Sequence, residues 1–144
     1  MNQPQAQYVS DDEIRLLVEG FENCSLPPEA FDHRAHLAVA VWYLSNMTAD
    51  EATTRMSDGL LRFIAHNGVD AQKYNETITQ FWVKRLDKLL NETDSGLSLA
   101  ERANQTIIKA GDSKLIFEYY SRDLLFSEDA RTGWAEPDLK QMES

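Results

Sequence analysis

Residues 31–45, FDHRAHLAVAVWYLS, set an almost uninterrupted apolar run behind two histidines three residues apart. At about 100° per residue, His33, His36, Leu37, Ala40, Leu44 and Met47 fall within one stripe about 100° wide. A helix over this run therefore turns both histidines the same way as its aliphatic residues. The phase recurs downstream. Ala52, Met56, Gly59, Phe63 and His66 are spaced four, three, four and three, the heptad-like line of a packing face, and Glu76, Thr79, Val83, Leu86 and Leu90 form another.

Six glycines and four prolines, with few clusters of β-branched residues, suit helices joined by short turns. Ser10 followed by Asp11, Asp12 and Glu13 is an N-cap with acids in the first turn, opening a helix to about Asn23. SLPPEA breaks the chain and restarts it, because proline suits a helix's first turn and not its interior. A second helix is expected from about Pro28 to Asn46, and a third from Thr48 or Asp50 to the Asn67-Gly68 stop. Asp70 can cap a fourth that runs to about Asn91. After the loop NETDSG, a fifth starts near Ser98 and ends at Gly111, and Asp112 or Ser113 caps a sixth through KLIFEYYSRDLL. The expected fold is all-α: a single-domain bundle of about five to six helices over residues 10–144. A flexible polar tail at 1–9 precedes it, and an irregular C-terminal tail follows from Ser127.

Fourteen basic against 24 acidic residues give a net charge of −10, which disfavours nucleic acid and an anionic membrane surface alike. No run approaches the ~18 apolar residues of a membrane span, and MNQPQAQYVS lacks the basic and apolar regions of a signal peptide. Cys24 is the only cysteine, which rules out an intramolecular disulfide and a Cys-rich zinc site and suits a reducing compartment. A cytoplasmic location is the expectation. The expected partner is a small-molecule substrate or ligand, with self-association into a homo-oligomer left open.

The chain has three histidines, and helical phase turns all of them inward. If the second, third and fourth helices are up-down-up neighbours, the start of the second meets the end of the third and the start of the fourth. His33, His36, His66 and Glu76 would then share one end of the bundle. Imidazoles at i and i+3 with a carboxylate suit a divalent metal, zinc first and iron second. Hydrogen-bonded core histidines are the competing explanation. Arg34, next to the stripe, and Asp32, just before His33, could orient an imidazole or hold an anionic ligand, and Tyr74, two residues before Glu76, could supply a phenolic donor.

Three stretches, FDHRAHLAVAVWYL, KYNETITQFW and EYYSRDLLFSEDARTGWAEPDL, resemble those of a family of small, uncharacterised bacterial all-helical proteins with HRxH and KYxETIT segments. The resemblance implies that His33, Arg34, His36, Tyr74, Glu76 and the tail from Trp134 to Leu139 belong together. It implies a histidine where this chain has Asn75, and it carries no activity.

Two functions follow as expectations. The first is a metal-dependent enzyme, hydrolytic as first guess, with His33, His36, His66 and Glu76 around the metal and Glu76, Arg34 and Tyr74 as catalytic groups. With iron, two histidines and Glu76 would instead form the facial triad of an oxygenase. The second is a non-catalytic helical module that binds a small molecule or a partner, its histidines hydrogen-bonded in the core. No dinucleotide, nucleotide-triphosphate, zincin or serine-hydrolase motif is present.

Overall fold

The computed structural model describes residues 7–142, and what was expected of residues 1–6 lies outside them. Among the described residues there are seven α-helices and no strand: α1 (Asp11–Glu22), α2 (His33–Asn46), α3 (Ala49–His66), α4 (Glu76–Asn91), α5 (Leu99–Ala110), α6 (Arg122–Leu125) and α7 (Glu128–Thr132). Single 3-10 turns lie at Pro28–Ala30, Ala71–Lys73 and Leu115–Glu118. The fold is an all-helical bundle with a C-terminal tail, and among the described residues no helix is long and apolar enough to cross a membrane.

Every α-helix starts with a short polar side chain that accepts a hydrogen bond from the N–H three residues on. Ser10, Asp32, Thr48, Asn75, Ser98, Ser121 and Ser127 do this in turn. Each cap satisfies a backbone donor that the helix itself leaves unpaired, worth typically ~1 kcal/mol. At Thr48 and Ser98 the acid three residues on, Glu51 or Glu101, returns a contact to the cap's own N–H and closes a capping box.

These caps explain where the boundaries depart from expectation. Pro28 opens only a 3-10 turn, and α2 starts at His33 because Asp32 is its cap. Asp70 likewise caps a 3-10 turn, accepting from the Gln72 N–H, while Asn75 starts α4. The expected sixth helix is broken into a 3-10 turn and α6, opened by Ser121, and the tail expected from Ser127 begins with the short helix α7, capped by Ser127 itself. The start of the chain is also less free than expected at residue 8. Tyr8 is buried, and its N–H and C=O pair with the two ends of the Asn104 amide at 3.0 and 2.9 Å.

α2 is the central helix. It packs against α1, α3, α4 and α5, and Ala35, Leu37, Ala38, Val39, Ala40, Val41 and Tyr43 are all buried. Those residues point in every direction around the helix, so α2 has almost no amphipathic character. The stripe read through His33, His36, Leu37, Ala40 and Leu44 is therefore only one of several apolar lines, and Leu44 on it is merely half-buried. The C-terminal tail lies along α4. The Thr77 hydroxyl donates to Gly133 O at 2.7 Å and accepts from the Ala135 N–H, and the Tyr120 hydroxyl donates to Ala135 O at 2.6 Å.

α3 approaches α1 through Gly59. A Cβ there would lie 2.5 Å from Cε2 and 2.7 Å from Cζ of Phe21. That ring is fully buried, stacked on Phe31 at 4.8 Å and packed at a tilt against Phe63 at 5.7 Å between centroids, so it has nowhere to withdraw. Gly59→Ala should lower stability, with overpacking of roughly 1–3 kcal/mol exceeding the ~1 kcal/mol that alanine gains inside a helix. Urea unfolding checks this. A more stable variant would mean that α1 and α3 can separate at no cost.

A candidate ligand cleft at the start of α2

α2 is enclosed along its length, so its first turn is where it can offer polar chemistry. His33 occupies the first helical position, and its Nε2 lies 3.1 Å from the carbonyl oxygen of Gly111, just past the end of α5. A carbonyl only accepts, so Nε2 carries the hydrogen and donates. In the neutral ring the lone pair is then on Nδ1. The edge of the imidazole meets Trp82 of α4, 4.8 Å between centroids at 69°. Arg85 covers the preceding carbonyls of α5, with Nε 2.8 Å from Ala110 O and Nη2 3.1 Å from Lys109 O. Donors gathered here suit the negative end of the α5 dipole. His33 thus joins the start of α2 to the end of α5.

Between these two ends lies a cleft of about 730 Å³. Leu37, Ile107 and Ile108 give it an apolar wall, and Asp32, His33, Arg34, Asn104, Asp112 and Ser113 line the rest with Gln7 and Gly111. Arg34 lies over the Tyr8 ring, its guanidinium carbon 4.0 Å from the centroid. Burial raises the Tyr8 phenol above its ordinary value. Arg34 opposes that rise and Asp32 adds to it, so the two opposite charges act on the same ring. Ile108 is 68% exposed although it is a large aliphatic residue.

His36, one turn on, faces elsewhere. Its ring stacks on Phe31 at 5.6 Å between centroids, and Phe31 in turn packs on Phe63 of α3 at 5.2 Å. Burial, reinforced by the charge of His33, pushes its pKa down to about 4 from an ordinary 6.5. His36 is a neutral member of an aromatic cluster.

Of the four residues expected to share a metal, the structure brings only His33 and His36 near each other. His66 is exposed on the last turn of α3. Glu76 lies at the seam between α3 and α4, where its Oε1 accepts from the Ser57 hydroxyl at 2.9 Å and the Tyr74 hydroxyl at 2.6 Å, and its Oε2 from the Gln80 amide. Burial and the bond to Glu76 push the Tyr74 phenol up to about 12. The expected convergence assumed that α4 begins beside the end of α3. The Ser57–Glu76 bond shows that α4 begins beside the middle of α3, nine residues before His66, or about 13 Å along the helix. Among the described residues no three His, Cys, Asp or Glu side chains are grouped so as to hold a metal ion. The His33–His36 pair falls short of the three or four protein ligands of a zinc site, and one nitrogen of His33 is already committed to Gly111. The geometry thus does not gather His33, His36, His66 and Glu76 into one group, nor two histidines with Glu76.

Arg34 belongs to the cleft, whereas Tyr74 and Glu76 belong to the α3–α4 seam. Asn75, where the resemblance implied a histidine, is a buried cap whose amide donates to Leu125 O at 2.8 Å. The α5 contribution of Asn104, Ile107, Ile108, Gly111 and Asp112 was not anticipated. Its one trace in the sequence is Ile108, off the line of buried Ala103, Thr106 and Ala110. A scan against protein-family models and searches of curated proteins and of solved structures return no match.

The His36 environment predicts a pH dependence of stability. Its folded pKa lies below its unfolded value, so between about pH 6.5 and 4 the unfolded chain binds the extra proton, and acidification through that window destabilises the fold. The loss is at most about 3.5 kcal/mol at ~1.4 kcal/mol per unit, an upper bound because the residue keeps some accessible surface. Urea midpoints from pH 7.5 to 4.5 should fall more steeply for the native protein than for His36→Gln. Parallel curves would show that the ring is protonated without penalty.

Proposed function

We propose that this protein is a helical module that binds a small organic molecule in the cleft between the start of α2 and the end of α5. The observation that carries this reading is the cleft itself. Its volume of about 730 Å³ and its apolar wall of Leu37, Ile107 and Ile108, facing a few convergent polar groups, match the common anatomy of ligand pockets. His33, fixed by Trp82 and Gly111, offers an oriented hydrogen-bonding group at its edge. Fixing a polar group in advance reduces the ordering cost of binding.

A hydrolytic metal-dependent function has less support. It needs Glu76 beside water activated at the histidines, and Glu76 is instead held by Ser57, Tyr74 and Gln80. That closed set of hydrogen bonds ties α3 to α4 and is accounted for as structure.

Amide chemical-shift mapping with a library of small organic fragments tests the reading. Perturbations should gather at residues 32–37 and 104–113. Ile108→Glu, at an exposed position, should change stability by no more than about 0.5 kcal/mol. It should weaken the fragments that bind there by about tenfold, because a charge replaces apolar contact area. Fragments that perturb other surfaces only, or that bind the variant equally well, would refute it.

A further inference from the structure

Resting on the cleft as a binding site, we infer that its ligand is an amphipathic amine, a protonated ammonium head on an apolar body. The lining carries three formal charges, those of Asp32, Arg34 and Asp112. Arg34 and Asp32 act together on Tyr8, and Asp32 also uses Oδ1 to cap the Ala35 N–H of α2 at 2.9 Å, which offsets the positive end of that helix. The two acids outnumber the one base, and Asp112 is the acid that neither caps α2 nor acts on Tyr8. Its Oδ1 accepts from the Lys114 N–H at 2.9 Å, and among the described residues its other oxygen has no hydrogen bond and its carboxylate no ion pair.

The orientation of His33 adds an acceptor. Because Nε2–H is given to Gly111 O, the neutral ring can offer the cleft only the Nδ1 lone pair, and no described residue donates to it. A ligand head that donates suits an acceptor nitrogen and a carboxylate in the same lining, whereas a carboxylate head could donate to neither. An ammonium group has three donors and no acceptor, the complement of these two acceptors. The apolar body would lie against Leu37, Ile107 and Ile108, which explains an isoleucine left 68% exposed. The net charge of −10 favours encounter with cations over anions.

Three compounds with one tail and different heads test the inference on the whole protein: 4-phenylbutylamine, 5-phenylpentanoate and 4-phenylbutan-1-ol, titrated at pH 7.5 and followed by amide shifts. The amine should bind at residues 32–37 and 104–113 at least about tenfold more tightly than either relative, the ratio expected from a charge-assisted hydrogen bond. Asp112→Asn keeps the Oδ1 acceptor for the Lys114 N–H. It should bring the amine's affinity down to that of the alcohol and leave the alcohol's unchanged. Raised salt should weaken the amine alone. If the carboxylate binds as tightly as the amine, or Asp112→Asn leaves the amine unaffected, the inference is wrong and the cleft remains a binding site. If none of the three moves cleft resonances, the cleft reading and the inference fall together.

Discussion

The burial of α2 on almost every side governs what this protein can do. A helix enclosed by α1, α3, α4 and α5 contributes stability along its whole length, and its flanks are closed to a ligand. Its first turn is different. There Asp32, His33 and Arg34 emerge at the place where α5 ends, and the chain needs hydrogen-bond partners for the carbonyls of Lys109, Ala110 and Gly111. The bond from His33 to Gly111 answers that structural need, and in doing so it fixes a polar ring at the mouth of a cleft. Stability and recognition meet in one side chain.

The remaining polar groups divide into separate neighbourhoods, each with its own physical logic. His36 is enclosed with Phe31 and kept neutral by burial. Glu76 finds three neutral donors where α4 leaves α3, which satisfies a carboxylate at the positive end of α4. His66 stands exposed at the end of α3, where its side chain suits the negative end of that helix. None of the three needs a metal to account for its position, and no two of the neighbourhoods share a cavity wall in the cleft.

The helices were legible in the sequence because their signals are local. Ser10, Thr48 and Ser98 announce their helices by a cap followed by acids, and Asn67-Gly68 marks a stop with Gly68 at φ +75°. KLIFEYYSRDLL is apolar enough to suggest one continuous helix, but Ser121 restarts the chain as a cap within it and leaves a 3-10 turn and α6. The site was only half legible. Helical phase placed His33 and His36 on consecutive turns, but periodicity carries no direction in a helix buried all round, so it could not separate a ring aimed at Gly111 from one aimed at Phe31. The register of α4 against α3, which separates Glu76 from His66, depends on the connection over 68–75 and on how the two helix faces pack, marked by the Ser57–Glu76 bond, and neither has a sequence signature.

The state of the His33 ring is the most direct measure of this account, and a long-range ¹H–¹⁵N spectrum of the imidazoles reads it. His66, exposed at the end of α3, supplies an internal reference for a ring free to exchange its proton between nitrogens. At a pH where the rings are neutral, His33 is predicted to show a single tautomer, with the hydrogen on Nε2 and an unprotonated Nδ1, because the Gly111 carbonyl accepts only from Nε2. A ring that exchanges tautomers as His66 does, or one with its hydrogen on Nδ1, would contradict the link between α2 and α5 and leave the cleft without its fixed polar edge.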